Sequence, residues 1–249
     1  MDIAPGCAAE FPVVVTVYEV SRRTSVMTNR TRIKICGLTR EQDVQGAIAA
    51  GADAIGFVFY PASPRYVQPA AAAKLVAVVP PFVTTVGLFV NASLEEVQTV
   101  LALAPVALLQ FHGDETPAQC ASIAAAVNRP FVRAVRVKPE TAATDLLECE
   151  SEYRAASALF SGLLLDTFVD SYGGSGKVFD WSLIPENLAP RLVLSGGLNA
   201  QNATDAVQRI RPHAVDVSSG VEQAKGIKDS AKIRAFIAAV RAADAVRPD

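Results

Sequence analysis

The sequence is poor in the residues that build metal centres, with two histidines and four cysteines among its 249 residues. Cys7, Cys36, Cys120 and Cys149 form no CxxC pair and no metal-ligand spacing, so no metal site is expected. Scattered single thiols suit a reducing cytoplasm, where disulfides do not persist. Long apolar runs are missing too. The longest, Val100 to Leu109, is broken by Pro105 and falls far short of the roughly 20 residues a spanning helix needs, so no membrane is expected. Excess charge of either sign is absent: the net charge is −2, and the basic residues are scattered. That excludes the concentrated positive footprint by which nucleic acid is usually bound.

No leader peptide is expected. Phe11 to Tyr18 is apolar, but Asp2 and Glu10 precede it and Arg22-Arg23 follows, the reverse of a secretory signal. Residues 1–31 are read as a poorly ordered tail, with Met27 a second candidate start, and 244–249 as a short C-terminal tail.

What is present is apolar matter in short clumps, 51% of the chain, as expected of parallel strands buried on both faces. Candidate strands are Arg32–Cys36, Asp53–Phe59, Phe82–Phe89, Ala107–Phe111, Phe131–Val137, Leu159–Asp166, Arg191–Leu194 and Ala214–Val217. Between them run helical patterns such as Arg40–Ala50, Ser93–Ala104, Thr116–Val127 and Asn199–Ile210; Asp229–Ala243 closes the series. Thr39, Ser93 and Asn199 stand where N-caps belong. Alternating strands and helices argue a parallel sheet, and a count of eight argues a closed (β/α)₈ TIM barrel over an open doubly wound sheet. No linker divides residues 32–243, so one domain is predicted.

Barrel active sites lie at the C-terminal strand ends. In Arg32–Cys36, alternation sends Ile33 and Ile35 to the helices and Lys34 and Cys36 inward. Cys36 is either a small buried hydrophobe or a base whose thiolate the Lys34 ammonium favours, lowering its pKa. Asp166 ends an apolar run; it is either a loop cap or a partly desolvated general acid. The loop Thr167–Lys177 contains Gly174, Ser175 and Gly176, either a turn or bare amides for a phosphate. It is no nucleotide P-loop, because Ser171 and Val178 break that motif.

The strands ending at Leu194 and Val217 are followed by Gly196-Gly197 and by Ser218-Ser219-Gly220. These are the positions of the recurrent barrel phosphate site. Arg65, between Pro64 and Tyr66, is either a surface charge or a bidentate clamp for a substrate carboxylate. Gln110 and His112 share a strand face and can line the pocket, although His112 equally suits a structural strand end. Asp216 points inward; His213 lies at the opposite barrel end.

In order along the chain come KICGLT (34–39), FVFYPASPRYV (57–67), VGLFVN (86–91), QFHGDE (110–115), LLLDT (163–167), GGSGKVFDW (173–181), LSGGLNAQN (194–202), VDVSSGVE (215–222) and GIKD (226–229). This ordered set resembles the phosphoribosylanthranilate isomerases of tryptophan biosynthesis, from Arg32 to the last helix. The resemblance implies an Amadori rearrangement of N-(5-phosphoribosyl)anthranilate with Asp166 as acid and Cys36 as base. It implies Arg65 at the anthranilate end, with Lys34, Gln110, His112 and Asp216 around the substrate. The phosphate would be held near Gly174–Gly176, Gly196–Gly197 and Ser218–Gly220. The expected partner is a small phosphorylated substrate, with no metal or organic cofactor, in a monomer or homodimer. Pro139–Ser157 matches nothing specific, and Ala214 replaces a frequent glycine.

Other phosphate-binding barrels are the rivals. An epimerase would supply metal ligands or paired carboxylates across the barrel, and an indole-forming synthase a lysine acid and a glutamate. A silent metabolite sensor would need neither Cys36 nor Asp166.

Overall fold

A computed structural model describes residues 30–167 and 179–246. Eight parallel strands close into one barrel in sequence order, and the seam joins the last strand to the first. They are β1 (Arg32–Cys36), β2 (Ala54–Val58), β3 (Thr84–Phe89), β4 (Leu108–Phe111), β5 (Phe131–Val137), β6 (Phe160–Thr167), β7 (Val193–Leu194) and β8 (Ala214–Val217). The helices are α1 (Glu41–Ala49), α2 (Pro69–Ala77), α3 (Leu94–Leu103), α4 (Pro117–Val127), α5 (Ala143–Ala156), α6 (Ala203–Ile210) and α7 (Ser230–Ala245). Between β6 and β7 the described residues form two short 3₁₀ turns, Trp181–Leu183 and Ala189–Arg191, and no α-helix. The readings of residues 1–29 as a tail and of Gly174, Ser175 and Gly176 as phosphate contacts lie outside the described residues.

The barrel wall separates two environments, as strand alternation requires. Ile33, Ile35, Ile55, Phe57, Leu109 and Phe111 are fully buried between strands and helices. Lys34 and Cys36 alternate with the isoleucines and face inward, as expected. At the upper interior Cys36 packs with Val58 and Leu88, and with part-buried Tyr60 and Val90. No helix of the described residues is long and apolar enough to cross a membrane.

Local chemistry explains where element ends differ from expectation. Ser93 caps α3 through a capping box with Glu96, as predicted, and Thr116 caps α4 in the same way with Gln119. Thr39 does not cap α1. Arg40 holds that position without a side-chain cap, and the Thr39 hydroxyl donates instead to Gly226 O at 2.8 Å. Asn199 accepts from the amides of Gln201 and Asn202, and this side-chain-stabilised turn delays α6 to Ala203. Pro139–Ser157, silent as a motif, holds α5. Strand β3 begins after Phe82, which takes a left-handed φ of 70°.

The boundaries drawn at 32 and 243 each need correction. Asp244, in the last turn of α7, accepts from Thr31 N at 2.9 Å and Thr31 Oγ1 at 2.8 Å. The chain just before β1 is thereby tied to the helix that closes the barrel. Asp53 completes this fastening, receiving Arg30, the Ile33 amide at 2.9 Å and Arg241 at 3.3 Å.

Burial alone would raise the Asp53 carboxyl, but Arg30, the Ile33 amide and Arg241 outweigh it and hold the group below the usual carboxylate range. A depressed folded value contributes stability above the unfolded carboxyl value, and that contribution is lost as pH falls through the folded one. Asp53→Asn should therefore lose about 1–3 kcal/mol of unfolding free energy at pH 7. In urea titrations the gap to the wild type should shrink toward zero as pH falls through the folded value of this carboxyl; a gap independent of pH would refute the charge argument.

Candidate active site

One pocket opens at the C-terminal end of the barrel and encloses about 840 Å³ including its mouth. Val58, Tyr60, Leu88 and Val90 give it an apolar wall, while Cys36, His112 and Asp166 are among its polar lining. The sequence-predicted Arg65, Gln110, Gly196, Gly197, Asp216, Ser218 and Ser219 line the same pocket. Gly220 and Lys34 do not.

Lys34 lies beneath the pocket. Its Nζ donates to Asp216 Oδ1 at 2.9 Å across the β1–β8 seam, where the two residues are register partners. Both side chains are almost fully buried. Burial works against the ammonium, but Asp216 and then Cys36 outweigh it and raise its pKa. Lys34 is thus a fixed positive charge next to Cys36 and is shielded from the cavity. The lowered thiol pKa predicted at Cys36 is overturned in net sign. Burial pushes the thiol above its ordinary value; Lys34 pulls it down, but Asp216 adds to the rise. Desolvation of a buried thiolate exceeds what an ammonium already paired with a carboxylate returns.

Gly56, the β2 register partner of Cys36, makes room for this arrangement. A Cβ there would lie 3.0 Å from Cys36 Sγ and 3.1 Å from Lys34 Cε. Nothing in the residue pattern singled it out.

Asp166 is only partly buried, at 24% side-chain exposure. Oδ1 receives the Thr167 amide at 2.8 Å, and Oδ2 faces His112 Nε2 at 3.2 Å. His112 Nδ1 in turn meets the Gln110 side-chain amide at 2.9 Å. Gly196, with φ 83°, permits the close approach of β7 to this carboxylate, since a Cβ there would come within 2.8 Å of Asp166 Oδ1. The turn after His112 is held by Glu115 and Arg133. Glu115 accepts from Asn91 N at 2.7 Å and Gly113 N at 2.9 Å, and Arg133 donates to Phe111 O and Gly113 O. No motif pointed to either residue as a support.

Arg65 departs from its predicted bidentate role. Its Nε and Nη2 already pair with Glu222 Oε1 and Oε2 at 2.7 and 2.9 Å, in a buried ion pair. The fork that would grip a substrate carboxylate is occupied, which leaves Nη1. Glu222 also accepts from Lys228 Nζ at 2.9 Å, which donates at 3.0 Å to Ser218 O. Burial would raise the Glu222 carboxyl, but Arg65 and Lys228 hold it low. Ser218 Oγ closes the network by donating to Cys36 O at 3.1 Å. Glu222 and Lys228 stand in the VDVSSGVE and GIKD stretches but drew no role from the sequence, because their partners are remote in the chain.

Gly196 and Gly197 both have positive φ, at 83° and 68°, and their amides have no acceptor among the described residues. Across from them the 3₁₀ turn Ser219–Val221 follows β8. This is a cradle of backbone donors suited to an anion. Among the described residues no cluster of His, Cys, Asp and Glu is placed to hold a metal ion.

The model of the N-(5'-phosphoribosyl)anthranilate isomerase family matches residues 33–239. An enzyme of that name from Herminiimonas arsenicoxydans is 77% identical, over 88% of this chain and 96% of its own. That of Ralstonia nicotianae is 58% identical over 87% and 95%. Among solved structures, the phosphoribosyl anthranilate isomerase of Thermotoga maritima has 42% identity and a TM-score of 0.75, covering 85% of this chain and 99% of its own. A phosphoribosyl anthranilate isomerase in complex with reduced 1-(o-carboxyphenylamino)-1-deoxyribulose 5-phosphate has 39% identity and a TM-score of 0.72, with the same coverage.

The electrostatics of the thiol can be measured directly. Alkylation of Cys36 by iodoacetamide, followed by peptide mass spectrometry, should stay slow at neutral pH and rise only above the ordinary thiol range. Lys34→Met should move the rise to higher pH and Asp216→Asn to lower pH. Shifts of the same sign would contradict the opposed effects assigned to the two charges.

Proposed function

The chain belongs to the N-(5'-phosphoribosyl)anthranilate isomerase family, and we propose that Asp166 and Cys36 divide its acid and base chemistry. It is an isomerase of tryptophan biosynthesis that performs an Amadori rearrangement, from an aminoaldose phosphate to an aminoketose phosphate. The observation that carries the division of labour is that a carboxyl group from β6 and a thiol from β1 open into one pocket.

In the first step Asp166 gives its proton to the furanose ring oxygen. The bond from that oxygen to C1 breaks, and the anthranilate nitrogen lone pair closes a C1=N iminium. Cys36 then removes the C2 proton; the electron pair forms C1=C2 and neutralises the nitrogen, leaving an enolamine. Tautomerisation moves the C2 hydroxyl proton to C1 and yields the ketone. The acid has lost one proton and the base has gained one, so exchange with solvent resets both. General acid–base steps of this kind contribute about 10²–10⁴-fold each.

Cys36 takes the C2 proton as the thiolate, and burial works against that form. The iminium brings a positive charge beside it, which supports the thiolate when the C2 proton is acidic. Lys34 supplies a standing contribution from below. The apolar wall suits the anthranilate ring, and Arg65 Nη1 offers one donor to its carboxylate. Asp216 neutralises Lys34 and makes no required contact with the sugar. We assign the phosphate to the amides of Gly196, Gly197, Ser219 and Gly220, with Gly174–Gly176 as further contacts.

A thiol base needs a reducing compartment, so we place the protein in the cytoplasm. Every group named comes from one chain, and the site serves a monomer or a homodimer equally.

Cys36→Ala and Asp166→Asn should each lower kcat by at least about a hundredfold, followed by the decline of anthranilate fluorescence, while inorganic phosphate still binds. Wild type should restore growth of a tryptophan auxotroph lacking this step, and Cys36→Ala should not. A fully active Cys36→Ala protein would remove the thiol as base. For Arg65→Ala, the affinity for the product analogue should fall further than that for inorganic phosphate; equal losses would contradict its placement at the anthranilate end.

A further inference from the structure

Gln110 of β4 and His112 just after it form a chain that ends on Asp166. Gln110 is completely buried, and its amide nitrogen lies 2.9 Å from His112 Nδ1. An amide nitrogen carries hydrogens and has no lone pair to accept with, so in this contact Nδ1 is the acceptor. A neutral imidazole that accepts at Nδ1 carries its proton on Nε2, and Nε2 faces Asp166 Oδ2 at 3.2 Å. Gln110 Oε1 has no partner among the described residues. A buried amide left with an unpaired carbonyl is costly, and here the orientation that leaves it so is the one that sets the histidine proton.

We propose that Gln110 and His112 are positioning residues for the acid: Gln110 selects the Nε2–H tautomer, and His112 delivers that hydrogen to Asp166 Oδ2. With the Thr167 amide on Oδ1, the carboxyl group is held at both oxygens and cannot rotate away from the sugar. Both hydrogen bonds strengthen as Asp166 becomes an anion on giving up its proton, so the pair favours the transition state of ring opening over the resting acid. Neither residue needs to touch the substrate. The inference rests on the assignment of Asp166 as acid.

Replacing Gln110 by glutamate tests it with almost no change of shape. A carboxylate at that position accepts from Nδ1–H, reverses the tautomer and turns the Nε2 lone pair toward Asp166. Gln110→Glu and His112→Leu should each lower kcat about ten- to hundredfold, the scale of one hydrogen bond to a charged group, with KM within about twofold. His112→Gln, which keeps an N–H near the Nε2 position, should recover part of the loss. The tautomer can also be read in the unmodified protein from the ¹⁵N ring shifts of His112. The only other histidine in the sequence is His213, so assignment needs one variant. Protonated Nε2 and unprotonated Nδ1 are expected. An Nδ1–H tautomer, or an unchanged kcat in Gln110→Glu, would overturn the inference while leaving the isomerase reading intact. A wild type that fails to convert phosphoribosylanthranilate would overturn both.

Discussion

The ion pair between Lys34 and Asp216 sits where the barrel closes, and the site above depends on it. It joins the first strand to the last, so it exists only once the ring of eight strands is complete. Buried pairs are weak sources of net stability, because desolvation offsets most of the attraction. Its value lies in placing a compensated charge beneath a buried thiol. An unpaired ammonium would be far more expensive to bury, and an unpaired carboxylate would push the thiol higher still.

Around this pair the pocket is divided by chemistry. One wall is apolar, from β2 and β3 and the residues that follow them; Asp166 with Gln110 and His112 comes from β6 and the end of β4; backbone donors come from the turns after β7 and β8. A buried network running from Arg65 through Glu222 and Lys228 to Ser218 connects the arginine side with the turn after β8, and ends on the carbonyl of Cys36. Arg65, the turn after β8 and the strand that carries Cys36 are therefore tied into one rigid scaffold. Such fixed spacing is how a barrel turns binding at remote groups into orientation at the reacting carbon.

Glycines decide how closely these parts approach. Gly56 leaves the volume into which Lys34 and Cys36 project, and Gly196 lets β7 lie against Asp166. In both places the missing side chain is what allows a reactive one.

The sequence by itself determined the barrel, because strand and helix periods are local properties of the chain. Cys36, Asp166, Arg65 and the glycine turns after β7 and β8 could be named because each ends a strand, and strand ends in a barrel share one mouth. The ordered motifs, each a short contiguous stretch, also identified the family. Tertiary structure alone decided the electrostatics. The sign of the Cys36 shift, the occupation of the Arg65 fork by Glu222, and the placement of Lys34 below the cavity all involve groups far apart in the chain. Charge interactions depend on distance and burial in space, which pattern along a sequence does not encode.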